Sequence, residues 1–275
     1  MQGEAASHPY VLGHTDEELA RLAQQAELFE GATEAVLRSA GLERGMSVLD
    51  LGCGAGDVSM IAARLVGETG SVLGIDKSDE AVRTAQRRCR LANLSNVTFA
   101  ERNLEDLEGE APFDAVIGRF ILVHFKQPEV LLKRVRGVLR PGGILAFAEL
   151  DIGSTMIAPP APLFQQCLGW ILAVYEKSGL DPNMGSQLYR IFRAVGLTPG
   201  LSATCRISGG EDWVGMSYLA ESVRSLIPAL EAFAISDAKS VGADDLAARL
   251  LSEAAAGDHC ITYPRFVGAW SRTPA

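Results

Sequence analysis

Three glycines at alternate positions, Gly52, Gly54 and Gly56, stand directly behind a short apolar segment and directly before one of helical composition. No other feature of the chain constrains its fold as much. Residues 47–51 read as a strand and 58–66 as a helix, and a turn free of side chains joins them. The alternation then continues, with strands predicted at 71–75, 97–100 and 113–118 and helices at 79–91 and 129–139. Strands that alternate with helices pair in parallel, because each crossover returns the chain to the same end of the sheet. The expected fold class is therefore α/β, a doubly wound and mostly parallel sheet of seven strands with helices on both faces.

Pro141-Gly142-Gly143 punctuates the chain before the apolar run 144–150, which suits a central strand buried on both faces. Upstream, Thr15 with Glu18 forms a capping box, and Leu19, Leu22, Ala26 and Phe29 recur on one helical face. Residues 1–46 are thus expected to form a helical lid, and 47–275 the main domain. Prolines at 159, 160 and 162 interrupt the βα rhythm before a helical stretch at 163–178. Residues 182–195 suit the next crossover helix, and 200–207 and 261–270 the last two strands. Cap insertions are expected near 156–180 and 211–257.

A net charge of −9, with no run of Lys or Arg, gives little basis for a nucleic-acid footprint. Cys53, Cys89, Cys167, Cys205 and Cys260 are odd in number and far apart, as in a reduced cytoplasmic protein. His8, His14, His124 and His259 are scattered away from carboxylates at ligand spacing, so no metal is expected. No stretch is long and apolar enough for a membrane span, and no leader-like segment opens the chain.

A glycine-rich turn at the mouth of a parallel sheet is suited to a nucleotide. A dinucleotide needs a third glycine where G-x-G-x-x-G spacing from Gly52 puts Asp57, and a carboxylate there opposes a pyrophosphate. S-adenosylmethionine is the better fit. It carries a sulfonium and an ammonium and has no phosphate for Asp50 or Asp57 to repel. Asp50 can sit near that ammonium, directly or through water, and Asp76, closing the second strand, can accept from two ribose hydroxyls.

With these residues in view, the chain resembles the class I, Rossmann-like methyltransferases, in the branch that acts on quinones and natural products. Residues 48–56 match the family's first motif and Asp76 its ribose carboxylate. Phe113-Asp114-Ala115-Val116 matches the fourth-strand motif, and Leu139-Arg140-Pro141-Gly142-Gly143 the turn before the fifth strand. The resemblance spans about 47–150. It implies that Gly52 and Gly54 pass under the methionine portion of S-adenosylmethionine, that Lys77 flanks the adenine, and that Asn103 and Leu104 frame the adenine edge. Gly118 and Arg119 would line the methionine end, and the product would be S-adenosylhomocysteine. Lys77 reads equally well as a solvated charge, and Arg119 as half of a structural ion pair.

Methyl transfer is an in-line displacement that needs alignment and exclusion of water, and a base only when the acceptor must lose a proton. His124 is the candidate base, although a structural role suits it at least as well. Tyr10, His14, Arg21 and Gln25 lie on the expected lid, with Gln25 a candidate for the cofactor and Tyr10 and His14 for the acceptor, and an ordinary surface or packing role suits each of them at least as well. Trp170, Tyr175, Trp213 and Tyr218 lie in the insertions and are candidates for an aromatic acceptor wall. Glu149 and Asp151, at the end of the fifth strand, are expected to face the cleft. The expected partner is a small-molecule acceptor, in secondary metabolism or elsewhere, with a homodimer as a candidate assembly. Two other readings share much of this pattern: a protein that binds S-adenosylmethionine without methylating, and an NAD-linked oxidoreductase, which Asp57 disfavours.

Overall fold

A computed structural model describes residues 16–104, 107, 112–209 and 214–274, with side chains from Leu28 onward. The first βα unit is β1 (Ser47–Leu51) and α2 (Asp57–Val66), preceded by α1 (Asp16–Ala40). Then follow β2 (Ser71–Asp76), α3 (Asp79–Leu91), β3 (Val97–Glu101), β4 (Phe113–Arg119), α4 (Pro128–Val135) and β5 (Leu139–Asp151). The remaining elements are β6 (Met156–Ala158), α5 (Pro162–Ser178), α6 (Met184–Ala194), β7 (Gly200–Thr204), β8 (Ile207–Gly209), α7 (Val214–Ser225), α8 (Ile227–Ala232), α9 (Ala238–Val241), α10 (Leu246–Ala256), β9 (Cys260–Thr262) and β10 (Arg265–Arg272).

Seven strands form one sheet in the order β3-β2-β1-β4-β5-β10-β7. Strands β1 to β5 pair in parallel, and β10 lies antiparallel to both of its neighbours. The doubly wound, mostly parallel α/β sheet expected from the sequence is the one observed. The core follows from strand alternation. Ile144 and Ala146 of β5 turn to the face covered by α1 and α2, and Leu145 and Phe147 turn to the face covered by α4 and α6.

Three strands went unread. Each of the two expected terminal strands breaks near one end, 200–207 at Cys205-Arg206 and 261–270 at Tyr263-Pro264, and β8 and β9 beyond the breaks join β6 in a second sheet ordered β6-β9-β8. Pro264 has no N–H to donate, so a ladder cannot run through it. The expected helix at 129–139 also ends early, at Val135, passing through one turn of 3₁₀ helix into β5. Residues 140–143 loop out of the β4–β5 ladder between the pairs Phe113–Leu139 and Ala115–Ile144.

The small sheet and helices α5, α7, α8, α9 and α10 share a hydrophobic core of their own, centred on Phe164, Ile171, Met216, Val223, Leu250 and Ile261. This cap stands over the end of the main sheet where β5 stops. Among the described residues, no helix is long and apolar enough to cross a membrane.

Candidate functional site

A cavity of about 390 Å³ opens between the carboxyl ends of the parallel strands and the cap. Open α/β sheets bind ligands at this end, because the loops that leave the strands diverge there. The glycine turn after β1 forms its floor, with Gly52, Cys53, Gly54 and Ala55 on the wall. Two glycines are required for different reasons. At Gly52, φ is +62° and an added Cβ would come within 2.5 Å of Ile121 Cδ1. At Gly54, φ is +51° and an added Cβ would project into open space. The backbone at Gly54 is thus bare toward the cavity.

The turn is held from beneath. Asp76 Oδ2 accepts the Gly54 N–H at 2.9 Å, and Oδ1 accepts that of Ser78 at 3.0 Å. Arg88 on α3 donates to the Ala55 carbonyl at 2.7 Å and to Asp57 Oδ1 at 2.6 Å. Asp76 and Lys77 line the cavity beside Asn103 and Leu104 beyond β3, as their positions in the sequence suggest.

Asp50 requires a correction. It does not line the cavity but lies below the turn, 1% exposed, where Ser59 Oγ donates to its Oδ2 at 2.6 Å. Its Oδ1 is buried without a hydrogen-bond partner, and burial raises the carboxyl's pKa from 3.8 to about 7. The alternation of β1 turns this side chain under the loop, toward Ser59 on α2.

The charge at Asp57 is also less exposed than a bare sequence suggests. Arg88 pairs with one oxygen, and Arg119 Nη2 stands 3.9 Å from the other. Its repulsion of a pyrophosphate is therefore largely neutralised. Arg119 lines the cavity and at the same time donates to Thr33 Oγ1 on α1 at 3.0 Å, with its guanidinium 5.3 Å from the centroid of Phe120. Burial draws its pKa down from the usual arginine value.

Past β4 the chain reverses sharply. Phe120 takes φ +57°, a conformation that costs a side chain of its size, and its N–H reaches the Ala148 carbonyl at 2.9 Å. The 3₁₀ turn Leu122–His124 follows, with Val123 and His124 on the cavity wall. Glu149, 1% exposed at the end of β5, accepts the Leu122 N–H at 2.7 Å and lines the cavity. Burial raises its carboxyl from 4.5 to about 8, against the opposing pull of N–H groups from Leu122, Ile121 and Val123. Asp151 does not join it. Its carboxylate accepts from Ser186 N and Oγ, each at 2.7 Å, and from Arg265 Nε at 2.9 Å, off the cavity wall.

From the cap, Tyr175 and Tyr218 reach the cavity. Trp170 does not: it is packed, partly buried, into the cap core on another face of α5. Tyr10, His14 and Trp213 lie outside the described residues, as do the side chains of Arg21 and Gln25. The sequence reading missed Phe120, Ile121, Leu219 and Tyr263. Nothing in the sequence singled out Leu219, which follows Tyr218 directly and so lies off its i+3/i+4 row, whereas Pro264 marked the bend that presents Tyr263. Among the described residues, no group of three or more His, Cys, Asp or Glu is arranged to hold a metal.

The fold is shared with a SAM-dependent methyltransferase from Aquifex aeolicus, at a TM-score of 0.53 and 18% identity over 94% of this chain and 98% of that one. The ubiquinone/menaquinone biosynthesis C-methyltransferase UbiE of Citrobacter koseri is 35% identical over 113 residues, 40% of this chain and 45% of that protein. An arsenite methyltransferase of Aquipseudomonas alcaligenes is 26% identical over 196 residues, 56% of each. The chain thus spans about half the length of these two curated relatives. A family model described as a methyltransferase domain matches residues 42–196, more than half of the chain and all of the glycine-turn side of the cavity, and the chain belongs to that family.

Proposed function

We propose that the protein transfers a methyl group from S-adenosylmethionine to a small organic acceptor held under the cap. One observation carries the reading: the bare turn at Gly54 is fastened to the Asp76 carboxylate, and both border the cavity at the mouth of the sheet. The residues present fit such a cofactor. Each oxygen of Asp76 accepts one backbone N–H and keeps lone pairs for ribose hydroxyls. Asn103 and Leu104 frame the adenine edge, Lys77 flanks it, and Arg119 faces the carboxylate of the methionine portion. Gly52 and Gly54 leave room for that portion to lie against backbone. Asp50 serves from below, through Ser59, by stiffening the strand end that carries the turn.

The cofactor supplies an activated methyl group, so the protein contributes alignment and dryness in place of a nucleophile. The 121–124 turn closes one side of the cavity, and His124 on it stands where an acceptor proton is taken up. Glu149 holds that turn through the Leu122 N–H and is uncharged near neutral pH. Arsenite is a poor candidate acceptor here. Among the described residues Cys53 is the one thiol on the cavity wall, and its pKa is pushed well above the usual value by burial.

Calorimetric titration with S-adenosylhomocysteine and with NADH tests the cofactor, and incubation with methyl-labelled S-adenosylmethionine tests transfer. Binding of the first compound alone, with label appearing in an acceptor, is the expected result. Preference for NADH would overturn the reading.

A further inference from the structure

The cavity is polarised, and its far side restricts what an acceptor can be. All its charged wall residues among those described, Asp57, Asp76, Lys77, Arg102, Arg119 and Glu149, come from the main sheet and its loops. Among the described residues, the cap contributes none. On α5, Phe164, Leu168, Ile171 and Tyr175 face the cavity at spacings of four, three and four residues, which is one stripe of the helix. On α7, Gly215, Tyr218, Leu219 and Ser222 make a second stripe, and Leu226 continues it. Tyr263 fixes the start of that helix by accepting the Gly215 N–H at 2.7 Å. The α5 stripe spans about 16 Å at 1.5 Å per residue, the length of a fused-ring system with a substituent.

We infer that the cap side of the cavity is an acceptor subsite for an uncharged, largely apolar ring compound bearing one hydroxyl-type group, an inference that rests on the methyl-transfer reading. Neither stripe, among the described residues, carries a charge, so an anionic acceptor would be stripped of water between them without a stripe cation to meet it, and a cationic one without a stripe anion. The polar atoms on the two stripes are the hydroxyls of Tyr175, Tyr218 and Ser222, which suit a neutral donor or acceptor. Glu149, at the boundary between the two halves, adds a protonated carboxyl and not a charge at neutral pH.

The test uses the full chain saturated with S-adenosylhomocysteine and titrated calorimetrically with 1-naphthol, 1-naphthoate and 1-naphthylmethylammonium. 1-Naphthol is expected to bind at least tenfold more tightly than either ion. Leu168→Gln, on the α5 stripe, is expected to weaken 1-naphthol tenfold while leaving affinity for S-adenosylhomocysteine unchanged, which also reports that the variant is folded. Tighter binding of either ion, or no binding of 1-naphthol up to about 1 mM, overturns the assignment. Should S-adenosylhomocysteine itself not bind, the cofactor reading fails, and the same three titrations of the unliganded chain decide the acceptor class by the same ordering.

Discussion

Replacing Glu149 with Gln isolates the cost of a buried carboxyl at the seam of the site. In the folded chain this group is raised from 4.5 to about 8, with burial the larger cause and backbone N–H groups opposing it. Below pH 4.5 folded and unfolded chains both hold the proton. Between 4.5 and 8 only the folded chain holds it, so stability falls as pH rises, by 1.36 kcal/mol per unit. Above 8 the loss is complete. Integrated from pH 5 to pH 8, the wild-type chain loses about 3–4 kcal/mol through this one group. Glutamine cannot ionise, and its carbonyl still accepts the Leu122 N–H, so the variant lacks that slope. Its amide nitrogen cannot accept the remaining N–H groups, a fixed cost of about 1–3 kcal/mol at every pH. Asp50, also raised, is present in both proteins and cancels in their difference. Urea unfolding at pH 5, 6, 7 and 8 should show the variant gaining on the wild type by about 3–4 kcal/mol across the series. Parallel stability curves would refute the claim that Glu149 is buried as the neutral acid.

Four further outcomes follow from the site. Asp76→Ala should weaken S-adenosylhomocysteine binding about tenfold to a hundredfold, through lost ribose contacts and a loosened Gly54 turn; unchanged affinity in calorimetry removes the ribose assignment. His124→Ala should slow turnover about tenfold to a hundredfold and leave cofactor affinity within about threefold; full activity returns the residue to a packing role. Ser59→Ala removes the single side-chain hydrogen bond on Asp50, and because that bond favours the ionised form, the destabilisation of about 1–3 kcal/mol should be larger at pH 8.5 than at pH 6. Gly52→Ala puts a Cβ at positive φ against Ile121, and should reduce stability by about 1–3 kcal/mol and weaken S-adenosylhomocysteine binding, read by thermal denaturation with and without that ligand.

The parallel half of the molecule was legible because its signals are local. A strand, a glycine turn and a helix start in quick succession name a βα unit, and the acid at the end of the next strand falls beside that turn. Asp76, Lys77, Asn103, Leu104 and Arg119 therefore stand on the cavity wall as read. Asp50 was misplaced because sequence proximity to the turn says nothing about which side of the strand its carboxylate leaves from. Trp170 was misplaced for a related reason. Aromatic character marks a residue worth burying, but only the phase of the helix tells which surface buries it, and Trp170 lies off the stripe that runs from Phe164 to Tyr175. The small cap sheet was invisible because its strands are three residues each, and two of them overlap the ends of longer segments that read as single strands.

Those broken strands explain how the two halves of the site come to face each other. β5 leads toward β6 and β7 toward β8, while β9 runs into β10, so three strands of the main sheet connect to the three of the cap sheet within a few residues each. A cap attached by three short connections at the carboxyl end of the sheet has little freedom to swing away as a body. Its core, assembled from α5, α7 and α10 against that ribbon, is separate from the two cores that flank the main sheet. The charged, backbone-lined half of the cavity is thus set by βα turns and the apolar half by helix stripes on an independent core. Leu168 and Ile171 pack in the cap core, so substitutions there can change which acceptor fits without disturbing the turn at Gly54 or its bond to Asp76, whereas Tyr175 also packs on a main-sheet core and Tyr218 on Phe29 of α1.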